Sequence, residues 1–200
     1  MFESNKIKKA IFYAKKNYGR IKDGSGTLIY DHCLRVAFYL YRLLNIDIQK
    51  SLKEDIVIAS LFHDLLEDTK AKEDEIEKRF GSRVLKYTKQ MTINFDKGIK
   101  KAVESLYNID NEVFLIKLSD IYDNVSKSFF MVRKNKIEWY EDFFLPLLTE
   151  YNKLIDDRVN LIKKKTNDDL IFLIINFSEK VKTKINDLIK FIKVAKNFMY

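Results

Sequence analysis

His63, Asp64, Glu67 and Asp68 stand together in the run HDLLEDT, four ionisable side chains set among leucines. Read as one helix, the run places His63 on the same face as Glu67 and Asp64 on the same face as Asp68, two adjacent stripes directed at one cavity. Imidazole and carboxylate together suit a borderline divalent cation such as Mn, Fe, Zn or Co, and the share of carboxylates leans toward Mn. Two ligands from this segment are too few to hold an ion. A second helix has to supply more, and Lys117, Asp120 and Asn124 recur at spacings of three and four in the otherwise apolar VFLIKLSDIYDNV. A polar stripe on a core helix is costly without partners, which makes Asp120 a candidate. The chain's other histidine, His32, is expected near the start of a helix; beside it Cys33 reads as a small buried hydrophobe, the usual behaviour of a free cysteine.

The elements that must position these groups are helices. Five glycines and one proline in 200 residues are too few turn-formers for a sandwich, barrel or propeller, and apolar residues recur at helical spacing in nearly every segment. The pattern predicts an all-α, single-domain chain with no repeat and no linker. Ile7, Ile11 and Ala14 mark a first helix, and GRIKDGSG (19–26) marks a loop. Further helices are expected at 27–45, from Ser51 as N-cap continuously to Asp68, at 73–80 closed by Gly81, at 84–90, at 96–107 and at 112–132. Two more follow: 138–164, which Pro146 should kink or restart, and 170–198.

Composition removes several function classes. Cys33 is the sole cysteine, so neither an internal disulfide nor a thiolate zinc cluster can form. The longest run without charge, Leu170 to Ser178, is nine residues, against the roughly 20 needed to span a bilayer. The first sixteen residues scatter charge through their apolar positions and do not read as a secretory signal, so a cytoplasmic protein with no membrane partner is expected. The formal charge is +8, with residues 1–22 carrying seven Lys/Arg against Glu3 alone, a basic C-terminal segment and an acidic middle. Basic ends of this kind more often serve solubility or general anion attraction than nucleic-acid binding. The pattern sets no oligomeric state.

Order and spacing together carry a resemblance. A Gly-rich loop, His32 six residues after its last glycine, HDLLEDT, EIEKRFG (75–81) and KLSD (117–120) with Asn124 four residues on resemble the HD-domain hydrolases of the alarmone (p)ppGpp. These are the small alarmone hydrolases and the hydrolase domain of RelA/SpoT-type enzymes. HDLLEDT is similar to their His-Asp-x-x-Glu-Asp-Thr motif, EIEKRFG to their Glu-Glu-Ile-x-x-x-Phe-Gly, and KLSD to their Lys-Leu-Ala-Asp. The likeness spans about residues 6–145.

The resemblance implies a helical metal phosphohydrolase with one Mn2+, or another divalent transition metal, held by His32, His63, Asp64 and Asp120. It implies that Glu67 and Asp68 position and deprotonate the attacking water, and that pyrophosphate leaves the 3′ position of ppGpp or pppGpp. Lys22, Asn124, Lys136 and Tyr140 would contact that small-molecule nucleotide. The base-reading positions depart from the family pattern. Arg20-Ile21-Lys22 replaces an adjacent Arg-Lys, Leu28-Ile29 replaces Pro-Tyr, Cys33 replaces a proline, and Ile121 replaces a basic residue. Two other readings stay open on sequence: an HD phosphohydrolase of another nucleotide, such as a 5′-nucleotidase or other pyrophosphohydrolase, and a non-catalytic module binding nucleotide or nucleic acid.

Overall fold

The computed structural model describes residues 4–132, 137–164 and 168–197. These residues are helical, and their only extended pairing is an isolated antiparallel bridge between Lys22 and Leu28. No helix among them is long and apolar enough to cross a membrane. The chain forms two compact units. The first comprises Met1–Ile93 and Ile109–Asp120, the second Asn94–Asn108 and Ile121–Tyr200.

In the first unit, α1 (Asn5–Tyr18) starts where the Ser4 hydroxyl accepts from the amides of Lys6 and Ile7, and it ends at Gly19. The loop that follows is wound around Asp23, whose Oδ1 accepts from Ser25 N, Ser25 Oγ and Thr27 N at 2.5–3.0 Å. Gly26 closes it at φ 81°, a conformation that disfavours any side chain. The Lys22–Leu28 bridge then delivers α2 (Ile29–Leu43), with His32 in its first turn.

The next helix, α3 (Lys50–Leu61), is the centre of this unit: every residue from Asp55 to Leu61 is buried. A helix apolar on all sides needs neighbours on all sides, and α1, α2 and α6 pack around it. Its one buried acid, Asp55, is paired with Lys6 at 2.6 Å and Arg83 at 3.3 Å. Ser51 lies within the first turn, and Gln49 takes the N-cap position expected for it.

A short α4 (Leu65–Asp68) precedes α5 (Glu73–Phe80) and α6 (Ser82–Met91). Gly81, at φ 100°, closes α5 and opens α6, as the sequence pattern predicts. The first half of α8 (Asn111–Met131) completes the unit. Its start is tied to α6, because Asp110 meets Lys86 at 2.6 Å and its amide donates to Gln90 Oε1 at 3.2 Å.

The second unit contains α7 (Ile99–Glu104) with the 3-10 turn Ser105–Asn108, and the rest of α8. It continues through α9 (Ile137–Trp139), a π-helical stretch Tyr140–Phe144, α10 (Leu145–Ile162) and α11 (Asp169–Asn197). Pro146 falls in the first turn of α10, where a missing N–H costs nothing, so it restarts the helix rather than kinking it. Arg158 of α10 donates to the Tyr107 carbonyl at 2.9 Å, and Asn152 donates to Asn186 of α11 at 3.0 Å.

Candidate metal centre

The segment holding the histidine and its acids departs from the continuous helix expected through Asp68. Helix α3 stops at Leu61, the backbone turns through Phe62 (φ −104°, ψ 6°) and Asp64 (φ −101°, ψ 4°), and α4 begins at Leu65. The break has a local cause: the His63 ring bonds through Nδ1 to the Ser60 carbonyl at 2.7 Å, an acceptor that a continuing helix would present to Asp64 N. His63 and Asp64 therefore occupy a turn, and the two-stripe helical arrangement does not form. The turn instead aims both side chains at one point.

At that point the donors converge. His32 Nε2 and His63 Nε2 are 3.2 Å apart, with their rings edge to face. His63 Nε2 lies 3.2 Å from Asp64 Oδ2, and His32 Nε2 lies 4.0 Å from the same oxygen. The ligand atoms of these three residues all fall within 4.8 Å of one another. From α8, Asp120 Oδ1 reaches His32 Nε2 at 3.1 Å and His63 Nε2 at 3.6 Å. Its Oδ2 accepts from Lys117 Nζ at 2.8 Å, one turn back on the same helix. Cys33 is buried and turned away, its thiol donating to the Tyr18 hydroxyl at 3.4 Å.

The electrostatics follow from this packing. Burial works against charge on Asp120, but Lys117 and the two imidazoles overcome it and hold the carboxyl well below its usual range. Asp64 is likewise lowered, burial being outweighed by His63. Burial opposes a proton on His63, yet Asp64 and the hydrogen bonds to Asp120 and Asp64 raise its affinity for one well above normal. Lys117 acts on Asp120 and Glu67, while Asp64 and Asp68 lie beside them, so a divalent cation suits both the charge and the donor set. An ion ~2.1 Å from each donor sets neighbouring donors ~3.0 Å apart in an octahedron and ~3.4 Å apart in a tetrahedron. Three of the separations seen here, 3.1, 3.2 and 3.2 Å, fall in that range, and the other two, 3.6 and 4.0 Å, lie above it.

Glu67 and Asp68 lie on α4, one turn beyond the donors, each with part of its side chain at the surface. Glu67 Oε1 accepts from the backbone amide of Ile93 at 2.7 Å. Burial around the carboxyl, with Asp64 and Asp68 nearby, pushes Glu67 up to about 7, against the lowering influence of the Ile93 amide and Lys117. Burial and Asp64 raise Asp68 as well.

The expected substrate contacts divide differently. Lys22 is exposed beside the Asp23 loop of the first unit. Asn124 follows Asp120 by one turn of α8, half-buried in the second unit. Tyr140 is 2% exposed, stacked edge-on against Trp139 and Phe144 and hydrogen-bonded with Ser128, so its phenol is committed within the fold. Lys136 lies outside the described residues.

Three supporting groups escaped the sequence reading: the Ser60 carbonyl, the Ile93 amide and Tyr18. The first two are backbone atoms and leave no residue signature. Tyr18 is fully buried at the end of α1, with its hydroxyl 3.4 Å from the Leu61 carbonyl where α3 breaks. The buried Lys117–Asp120 pair gives the first expectation. In metal-free protein Lys117→Met leaves a buried carboxylate without its cation and lowers stability by about 3 kcal/mol, read by chemical denaturation.

Comparison with known proteins gives the family. An HD domain family model matches residues 10–93. The chain is 33% identical over 145 residues to the guanosine-3′,5′-bis(diphosphate) 3′-pyrophosphohydrolase of Aquifex aeolicus, covering 66% of this chain and 19% of that protein. It is 30% identical over 132 residues to the Drosophila melanogaster guanosine-3′,5′-bis(diphosphate) 3′-pyrophosphohydrolase MESH1, covering 62% of this chain and 70% of that one. This chain thus spans about a fifth of the long bacterial relatives and most of the short insect one. A solved structure of a metazoan ortholog of SpoT, described as hydrolyzing ppGpp, superposes with a TM-score of 0.64 over 90% of this chain and 97% of that one, at 22% identity, a likeness of fold. HD domains bind divalent metal, and the cluster of His32, His63 and Asp64 is placed to do so. By sequence, by fold and by the motif that builds its metal cluster, this chain belongs to the HD-domain family of guanosine-3′,5′-bis(diphosphate) 3′-pyrophosphohydrolases.

Proposed function

We propose that the chain is a Mn2+-dependent hydrolase that removes pyrophosphate from the 3′ position of ppGpp and pppGpp, leaving GDP or GTP. The observation that carries this reading is the convergence of His32, His63, Asp64 and Asp120 on one point, with Glu67 and Asp68 one turn away, in a member of this family. Relatives named for this reaction support it.

The four converging residues would hold the ion. When bound, it lowers the pKa of water and offsets charge on a phosphoryl oxygen. The protein's own groups do the rest. The Ser60 carbonyl accepts a hydrogen bond from His63 Nδ1–H and so fixes the tautomer whose Nε2 lone pair is left for a metal. Lys117 engages one oxygen of Asp120 and leaves the other facing the imidazoles. The Ile93 amide fixes the Glu67 carboxylate, which accepts the proton of the attacking water with Asp68 beside it. The water oxygen bonds to the phosphorus on the 3′ oxygen, the bond between that oxygen and the phosphorus breaks, and the proton taken by Glu67 passes to the leaving 3′ oxygen. Lys22 contributes a contact to the nucleotide.

This role for Glu67 sets a pH dependence. A base titrating near 7 is protonated and inactive below that value, so activity falls as pH drops through it. A nearby divalent charge favours the carboxylate and moves the limb to lower pH. A rate profile from pH 5 to 9 should therefore show an acid limb at or below about 7 that is absent from Glu67→Gln.

A second reading, hydrolysis of another nucleotide at the same centre, is favoured by the altered base-reading positions Ile21 and Ile121. A panel of ppGpp, pppGpp, GTP, dGTP, ATP and AMP, with products resolved by anion exchange, separates the two. Turnover of ppGpp to GDP and pyrophosphate supports the first. Silence on ppGpp with turnover of another nucleotide replaces it with the second.

A further inference from the structure

A cleft of about 780 Å3 opens between α1 and α5 in the first unit and involves none of the metal-centre residues. Its α1 wall repeats at one-turn spacing: Lys8, Phe12 and Lys16 stand at i, i+4 and i+8 on one face, with Lys9 beside them. Arg79 of α5 faces them. Phe12 is 74% exposed, so its ring is open to a ligand in the cleft.

Some lysines of the unit find acids: Lys6 pairs with Asp55, Lys86 with Asp110 and Lys89 with Glu73. Lys8, Lys9 and Lys16 have no acidic partner among the described residues, and Glu75 is the one acid lining the cleft. Glu75 is already engaged, accepting from the Tyr13 hydroxyl at 3.3 Å. The floor is rigid, because Tyr13 packs on Phe80 and Phe62 at centroid distances of 5.4 and 5.6 Å and the Arg79 guanidinium lies 5.6 Å from the Tyr13 ring centroid. Unneutralised cations on either side of an exposed ring, in a cavity of small-molecule size, match a ligand with a flat base and several negative charges.

We propose that this cleft is a second nucleotide site, which binds a free nucleoside triphosphate with its base on Phe12 and its phosphates on Lys8, Lys16 and Arg79. It is independent of the hydrolytic reading, since none of its groups belongs to the metal cluster. Tyr13 connects it to the rest of the unit through Phe62, the residue before His63.

The test is fluorescence anisotropy of N-methylanthraniloyl-labelled GTP and ATP with the full chain in EDTA, which removes metal-dependent binding elsewhere. Lys8→Glu with Lys16→Glu should weaken binding by about a hundredfold, about tenfold per phosphate contact, and Phe12→Ala by about tenfold. Asp64→Ala should bind as the parent does. The substituted side chains of the cleft lie on the helix surface, and circular dichroism checks that the fold persists. Unchanged affinity in the lysine variant, or loss in Asp64→Ala alone, overturns the proposal. So does tripolyphosphate binding as tightly as GTP with Phe12→Ala indifferent, which would leave an anion site with no base. Tighter binding of a short single-stranded RNA, lost in the same lysine variant, would reassign the cleft to nucleic acid.

Discussion

Asp64→Ala should abolish metal-dependent hydrolysis, with kcat/KM falling by at least about 10^3-fold, the rate equivalent of the several kcal/mol of charge stabilisation that a bound ion supplies. Metal content by mass spectrometry should fall with it. Asp64 is the informative position because its side chain keeps 28% of its surface exposed, so truncation removes a candidate donor without opening a core cavity. Metal-free Asp64→Ala should accordingly melt close to the metal-free parent. His63→Ala would confuse the two effects, since that ring is completely buried and its loss also frees the Ser60 carbonyl.

Glu67→Gln separates chemistry from metal binding. The amide oxygen of glutamine can still accept from Ile93 N, so the side chain keeps its position, but it has no carboxylate to take a proton. The rate should drop by about 10^2–10^4-fold with metal content unchanged, the range that general-base catalysis supplies. A loss of metal equal to that of Asp64→Ala would instead make Glu67 a ligand. Together the two substitutions distinguish holding an ion from activating water.

The helical class was legible because glycine and proline scarcity and 3.6-residue periodicity are properties of the chain as a whole. Gly81 and Pro146 were readable for the same reason, as each acts on its own backbone. The error lay at Phe62–Asp64. Apolar spacing runs unbroken from Ile56 to Leu66, and nothing in it reveals that the His63 ring captures the Ser60 carbonyl and stops the helix. Periodicity reports which face is buried, and both sides of this break are buried.

The metal cluster was partly legible. His63 and Asp64 stood out as polar groups on an apolar segment, and Asp120 as part of a polar stripe; pairing His32 with them rested on the family resemblance. What orients them was hidden, since the Ile93 amide and Ser60 carbonyl are backbone groups brought near by tertiary packing. Lys117 was visible as part of that stripe, but its function, engaging one oxygen of Asp120 so that the other faces the histidines, needs three dimensions.

The proposed hydrolysis requires that one divalent ion on these four residues drive release of 3′-pyrophosphate. The direct measurement is titration of metal-stripped protein with Mn2+ while pyrophosphate release from ppGpp is recorded. Activity that rises from baseline and saturates at one ion per chain, with GDP as the co-product, is the predicted result. Full turnover in the presence of chelator, or saturation with Mn2+ bound and no pyrophosphate released from ppGpp, would contradict it.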